Sequence, residues 1–254
     1  MERRKRAITI TGISNIDEVQ PGDDLARLIV ERAGQEDVKL ADGSILVVAQ
    51  KVVSKAEGRL ADLRQVTPSA LAVSFAEQYD KDARFVEVVL QQSKRIVKMD
   101  HGVLIVETHH GFVCANAGVD GSNVPGKHIV SLLPVDPDAS AERLRKQIEE
   151  YSGCKCAVII SDTFGRPWRE GLTNVAIGVS GMEPLLDYRN TVDEHGFTLH
   201  ASVLAVADEI AAAAELIMGK LNRIPVVVVE GYSYCAAPGS ARKLVRSPER
   251  DLFR

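Results

Sequence analysis

Cysteine is scarce in this chain, and nothing about the four present suggests a metal knuckle. Cys114, Cys154, Cys156 and Cys235 are scattered, and the single residue between Cys154 and Cys156 fits no common zinc spacing. They read as reduced, mostly buried thiols. None of the six histidines has a zinc-binding partner at helical spacing, and the adjacent pair His109-His110 reads as a turn. A basic excess is also missing: the formal net charge is −4, which argues against a general nucleic-acid or membrane surface. Glu2 to Arg6 is the one basic cluster and reads as a solvated tail. No apolar run approaches the roughly 20 residues that span a bilayer, and the amino terminus shows no apolar signal region, so a cytoplasmic protein is expected. There is no Gly-x-x-x-x-Gly-Lys-Ser/Thr, which excludes an ordinary P-loop. Internal repeats and low-complexity linkers are absent too.

What the chain does have is core material. Its 254 residues, 45% hydrophobic, suit one large domain or two intimately packed subdomains. Ile8 to Ile10 reads as a strand, followed by a loop through Gly12 to Ile16 and a helix capped by Asp23 and closed by Gly34. Ile45 to Ala49 is apolar on both faces, as a strand covered on both sides would be. Leu71, Phe75 and Tyr79 share a helical face after Thr67-Pro68, and a further helix follows Asp82; their apolar residues are expected in the core. Val103–Val106 and Phe112–Ala115 read as a hairpin. Leu144, Ile148 and Tyr151 line a helix that ends at Gly153. A helix from about Ser202 to Met218 is rich in alanine, which points to close packing, with a partner subunit as one surface it could meet. Pro225 to Val229 reads as a last buried strand, and the tail beyond Tyr232 as partly irregular. The expected class is α+β, in the mixed α/β sense: buried strands with flanking helices and a hairpin.

Three segments carry chemistry. The strand Ala157–Ile160 runs into Ser161-Asp162-Thr163-Phe164-Gly165-Arg166-Pro167-Trp168-Arg169-Glu170-Gly171, whose carboxylate, hydroxyl, glycine and two arginines suit a metal ion and phosphate oxygens. Asp162 and Thr163 would alternatively do no more than bond their own backbone in a turn. Gln50-Lys51-Val52-Val53-Ser54-Lys55-Ala56-Glu57-Gly58-Arg59 follows a buried strand with cations that could grip a polyphosphate, or could equally be an exposed charged loop. Asn116 to Gly126 is too rich in glycine and short polar groups for regular structure, and it offers a carboxylate and an amide where backbone can approach a ligand.

Taken together, Lys51–Arg59, Asn116-Ala117-Gly118-Val119-Asp120-Gly121-Ser122-Asn123-Val124, Leu133-Pro134-Val135-Asp136-Pro137-Asp138, Ser161–Arg166 and Ala207-Asp208-Glu209-Ile210-Ala211-Ala212-Ala213-Ala214 resemble, in this order, the coenzyme F420:L-glutamate ligase family. The resemblance runs from about Ile8 to the carboxy terminus. It implies a GTP-dependent amide ligase that joins L-glutamate to the terminal carboxylate of coenzyme F420-0 through an acyl phosphate. It further implies divalent metal, manganese or magnesium, two ions in number, a potassium-type monovalent cation, and an intertwined homodimer with no nucleic-acid or membrane partner. Residue by residue, Asp120 and Asp162 would hold one divalent ion and Thr163 would sit at a second. Ile13, Ser14, Asn15, Ile16, Gln50, Lys51, Lys55 and Asn123 would contact the nucleotide, as would the loop Gly219, Lys220, Leu221, Asn222, Arg223, Ile224, Pro225 and Val226. Lys55 and Arg166 would offset charge during transfer. Gln50 departs from the serine or threonine frequent at its position in the family, which bears on guanine selectivity. Two other classes use the same residues: a metal-dependent phosphatase or nucleotidyl transferase, and a non-catalytic GTP-binding module.

Overall fold

A computed structural model describes residues 7–251, so the basic cluster at Glu2 to Arg6 lies outside the described residues. The chain opens with β1 (Thr9–Ile13), α1 (Leu25–Gln35), β2 (Ser44–Ala49) and α2 (Gln50–Ala56). A middle section follows: β3 (Leu60–Asp62), α3 (Ala70–Tyr79), α4 (Ala83–Gln91), β4 (Ser93–Asp100), β5 (Val103–Thr108), β6 (Val113–Ala115) and β7 (Ile129–Ser131). It closes with α5 (Pro137–Ser152), β8 (Cys156–Arg166), β9 (Arg169–Ser180), β10 (Leu186–Asp187), β11 (Val203–Leu204), α6 (Val206–Met218) and β12 (Val226–Glu230). The class is α+β.

Five strands form the central sheet in the order β1-β12-β2-β8-β9. Only β2 and β8 run parallel; the other pairs are antiparallel. Because strand side chains alternate between faces, Leu46, Val48, Val158 and Ile160 pack with Ile29, Leu144 and Ile148 from α1 and α5. Ile45, Val47, Ala157, Ile159, Val227 and Val229 pack with Ala207, Ala211 and Ala214 of α6 on the other side. These three alanines of α6 thus face this chain's own sheet, where a small side chain lets the helix settle close. A third cluster, around Phe75, Val86, Val89, Leu104, Val106 and Val130, joins α3 and α4 to the β4-β5-β6 sheet. The long apolar strands are therefore buried on both faces, as their sequence requires.

Several boundaries differ from the sequence reading. Asp24, not Asp23, caps α1 by accepting from the Arg27 N–H at 3.1 Å, while Asp23 accepts from the Gln20 N–H. Gly34 lies inside α1, which continues until the Glu36 N–H reaches the Arg32 carbonyl. β8 does not stop at Ile160 but runs to Arg166 as one arm of a long hairpin with β9, with a bulge between Ile160 and Ser161. The last helix starts at Val206, because Val203 and Leu204 pair with Asp187 and Leu186 instead. Leu71 is exposed: α3 buries the face of Ala72, Phe75 and Ala76, and Leu71 points about a quarter-turn away from its centre. Among the cysteines, Cys114 and Cys156 are buried, Cys154 is half-buried and Cys235 is exposed; all are free thiols. No helix among the described residues is long and apolar enough to cross a membrane.

Candidate active site

Parallel pairing of β2 and β8 brings their carboxyl ends to the same edge, with Ala49 opposite Ser161. Open sheets commonly bind ligands at such an edge, since the following segments diverge and leave a crevice. Here β2 passes straight into α2, and β8 continues as the hairpin. β12 runs antiparallel to β2, so the loop preceding Val226 arrives at that edge as well. The Asp120 loop is drawn in by a bridge to Ser131, whose hydroxyl also donates to the Asp120 carbonyl at 3.0 Å. These four segments, together with Ile16–Val19, enclose a cavity of about 940 Å³.

One wall is cationic. Lys51 Nζ donates to Asp120 Oδ2 at 2.6 Å and to the Ser122 carbonyl at 2.6 Å. Asp120 also accepts from the Ser122 N–H and hydroxyl. Burial raises the Asp120 carboxyl, but Lys51 and Ser122 outweigh it and hold the group below its usual value. Lys55, only 6% exposed, meets Glu18 Oε1 at 2.5 Å. Gln50 is buried and ties α2 to the middle section, donating to the Leu132 carbonyl at 3.0 Å.

Asp162 sits between the cationic groups. Burial pushes its carboxyl up to about 6, against the opposing pull of the Thr163 N–H, Lys51 and Lys220; Asp120 adds to the rise. A carboxylate so poorly solvated gains much from an incoming cation. The opposite wall is a relay from β8 to α6. Lys220 Nζ donates to Thr163 Oγ1 at 2.5 Å, Thr163 Oγ1 donates to Asn174 Oδ1 at 2.7 Å, and Asn174 Nδ2 donates to Glu215 Oε2 at 3.0 Å. Gly219 closes α6 with φ +53, and a Cβ there would meet Asn222 Nδ2 at 2.6 Å, so a glycine is needed for the loop to turn back.

The structure gathers most of the residues expected from sequence. Ile16, Gln50, Lys51, Lys55, Asn123, Asp120, Asp162, Thr163, Gly219, Lys220, Leu221, Arg223, Ile224 and Pro225 all line the cavity. Others stand apart from it. Ile13 and Val226 pack into the core beneath the sheet. Ser14 and Asn15 are engaged by Glu36, and Asn222 donates to the Ile217 carbonyl. Arg166 lies at the base of the hairpin turn and donates to the Gly171 and Glu170 carbonyls. Glu18, Asn174 and Glu215 line the cavity and were not anticipated; Ser122 and Ser161, which stand in the recognised segments without an assigned role, line it too. An amide directly before the run Val175 to Val179 was the available signal for Asn174; nothing in the sequence marked Glu215 out from its helix.

The donor chemistry fits a hard cation that shares its shell with a ligand. Among the described residues no group of three or more His, Cys, Asp or Glu side chains could cage a metal. Two carboxylates with neighbouring hydroxyls leave most positions to water and phosphate oxygens, as magnesium-type ions prefer. Ser161 adds a further sign of a missing partner. Its hydroxyl is the one buried side-chain polar atom without a hydrogen bond among the described residues, and Ser161 lines this cavity.

The family described as F420-0:Gamma-glutamyl ligase matches residues 13–231. This chain belongs to that family. The matched span contains every segment that lines the cavity, from Ile16 to Pro225. The coenzyme F420:L-glutamate ligase of Methanothermobacter thermautotrophicus is 42% identical over 250 residues, which cover 97% of this chain and 99% of that protein. The enzyme of the same name from Methanopyrus kandleri is 45% identical over 93% of this chain and 94% of its own length. The one from Methanocaldococcus jannaschii is 43% identical over 85% of this chain and 86% of its own. Family membership therefore extends over the whole architecture rather than over a single motif.

Proposed function

We propose that the chain is a GTP-dependent ligase that joins L-glutamate to the terminal carboxylate of coenzyme F420-0, releasing GDP and phosphate. The observation that carries this reading is the convergence of Lys51, Lys55, Asp120 and Asp162 on one cavity, in a chain similar over nearly its full length to proteins named for that reaction. Lys51 and Lys55 attract the phosphate oxygens, for which their compact charges are suited. The loop from Gly219 to Pro225 and Asn123 hold the remainder of the nucleotide. Asp120, Asp162 and Thr163 hold divalent metal, manganese or magnesium, which when bound offsets charge on the phosphoryl oxygens.

In the first step an oxygen of the acceptor carboxylate bonds to the terminal phosphorus, and the bond to GDP breaks. In the second the glutamate nitrogen bonds to the activated carbonyl carbon, the carbon–oxygen bond to phosphate breaks, and the nitrogen gives up a proton. The chain's contribution is to align the reactants and keep water from the acyl phosphate, with Ile16, Val19, Met218 and Ile224 as apolar wall. The working unit in this reading is a homodimer, for which exposed Trp168 and Leu172 on the β8–β9 hairpin offer apolar surface.

The test is to incubate the protein with GTP, manganese, potassium, L-glutamate and coenzyme F420-0. The acceptor should gain the mass of one glutamyl residue as GDP forms. Nucleotide turnover that ignores glutamate would instead indicate a phosphatase or nucleotidyl transferase, and GTP binding without phosphate release a binding module.

A further inference from the structure

We infer that Glu215 is the group that receives the amino group of the incoming amino acid and takes its proton as the amide forms. The inference rests on the ligase reading above. An amino acid arrives as an ammonium ion, and nitrogen can attack an acyl phosphate only after losing a proton, a step that a carboxylate in the cavity assists by accepting it. Five carboxylates line it: Asp17, Glu18, Asp120, Asp162 and Glu215. Glu18 is taken by Lys55 at 2.5 Å, and Asp120 by Lys51 and Ser122. Asp162, like Asp120, is a metal-binding carboxylate of the proposed scheme. Asp17, with 88% of its side chain exposed, lies at the rim beside Arg32 at 3.9 Å.

Glu215 differs from these in how it is held. Its Oε2 accepts from Asn174 Nδ2 at 3.0 Å, and Asn174 is 4% exposed with its own oxygen receiving the Thr163 hydroxyl. The amide is thus fixed in the orientation that presents its N–H to Glu215. The other oxygen, Oε1, has Lys220 at 3.9 Å, beyond hydrogen-bonding distance. A carboxylate oriented through one oxygen and open at the other is the arrangement of a positioned base with its orienting partner. With about a quarter of its side chain exposed, Glu215 can pass the proton on to water. Electron and atom balance is complete: one ammonium proton passes to a Glu215 oxygen and on to water before attack, the N–C bond forms, the C–O bond breaks with its pair going to phosphate, and the second proton leaves nitrogen by the same oxygen.

Hydroxylamine provides the test, because at neutral pH its nitrogen is already uncharged and needs no base to become a nucleophile. With GTP, manganese and coenzyme F420-0, the wild-type protein should give the glutamyl amide from glutamate and a hydroxamate from hydroxylamine. Glu215→Gln should lower the amide rate by about 10²-fold or more while hydroxamate formation stays within about twofold. Glu215→Asp should recover part of the amide rate. Parallel loss of both products in a folded Glu215→Gln protein would overturn the assignment, since the residue would then be holding metal, nucleotide or structure. Retention of both would overturn it as well. Absence of the amide from the wild type would remove the ligase reading itself, and this assignment with it; amide without hydroxamate would overturn this assignment alone, since an uncharged nitrogen would then gain nothing from needing no base.

Discussion

Lys51 Nζ lies 2.6 Å from Asp120 Oδ2, so without ligands a cation suited to phosphate neutralises a carboxylate suited to metal. In the proposed function, nucleotide phosphates would draw the lysine away, and the freed carboxylate would then take the metal ion that accompanies them. On that proposal, this one contact would couple the arrival of metal and nucleotide.

Replacing Lys51 by methionine should therefore act in opposite directions on the two ligands. Manganese binding without nucleotide should tighten by about threefold to tenfold, the worth of a partly exposed ion pair. GTP binding should weaken by about tenfold or more. Isothermal titration of each ligand reads both effects, and a lysine that is merely solvated would change neither.

Asp162 ties stability to pH. Its carboxyl is raised to about 6 from the model-compound value of 3.8, chiefly by burial. Between those values the folded protein binds the proton more tightly than the unfolded chain does. Stability contributed by this group is thus greatest below about pH 4, falls as pH rises to about 6, and stays low above, by at most about 3 kcal/mol. In metal-free protein above pH 7, Asp162→Asn should be more stable than wild type, by about 1–3 kcal/mol, and should lose most of the stabilisation that manganese provides. Melting curves from pH 4 to 8, with and without manganese, check both; equal pH dependence in the two proteins would contradict the assignment.

Lys55 and Glu18 form a contact in which one partner is buried and the other half-exposed. Glu18→Gln leaves a lysine of 6% exposure without its counter-charge and should cost roughly 1–3 kcal/mol, discounted for the exposure of Glu18. Adding Lys55→Met should recover part of that loss, giving a favourable coupling in a double-mutant cycle of denaturant melts. Lys55→Met on its own should weaken GTP binding. Additive stability effects would show that the pair does not matter to the fold.

Much of the fold was legible because its long elements carry strong patterns. Ile45–Ala49 and Ala157–Ile160 are apolar on both faces, and Leu144 and Ile148 repeat at helical spacing; the structure buries all of these but the half-buried Ala49. β4 escaped notice because Ser93–Asp100 exposes Lys94, Arg95, Ile96, Lys98 and Met99, and so has no apolar side for a pattern to reveal. α2 read as a charged loop since its seven residues include Gln50, Lys51, Ser54 and Lys55, yet three of these four are buried. The site was less legible for a different reason. Lys51 and Asp120 are 69 positions apart, and Asn174 and Glu215 are 41 apart, so their meetings depend on sheet order rather than on local spacing. Family resemblance supplied Asp120 with Asp162; only the folded chain brings Glu215 to the same cavity.

The acyl-phosphate route makes one demand that a simple GTPase does not meet. If the acceptor carboxylate is phosphorylated, one of its oxygens becomes the bridge to phosphorus and departs with phosphate when the amine attacks. Coenzyme F420-0 labelled with heavy oxygen in its terminal carboxylate should therefore yield labelled phosphate, in step with amide formed, in unlabelled water. Mass spectrometry of the released phosphate reads the outcome. Labelled phosphate equal in amount to amide is the result predicted for this site; amide product accompanied by wholly unlabelled phosphate would contradict it.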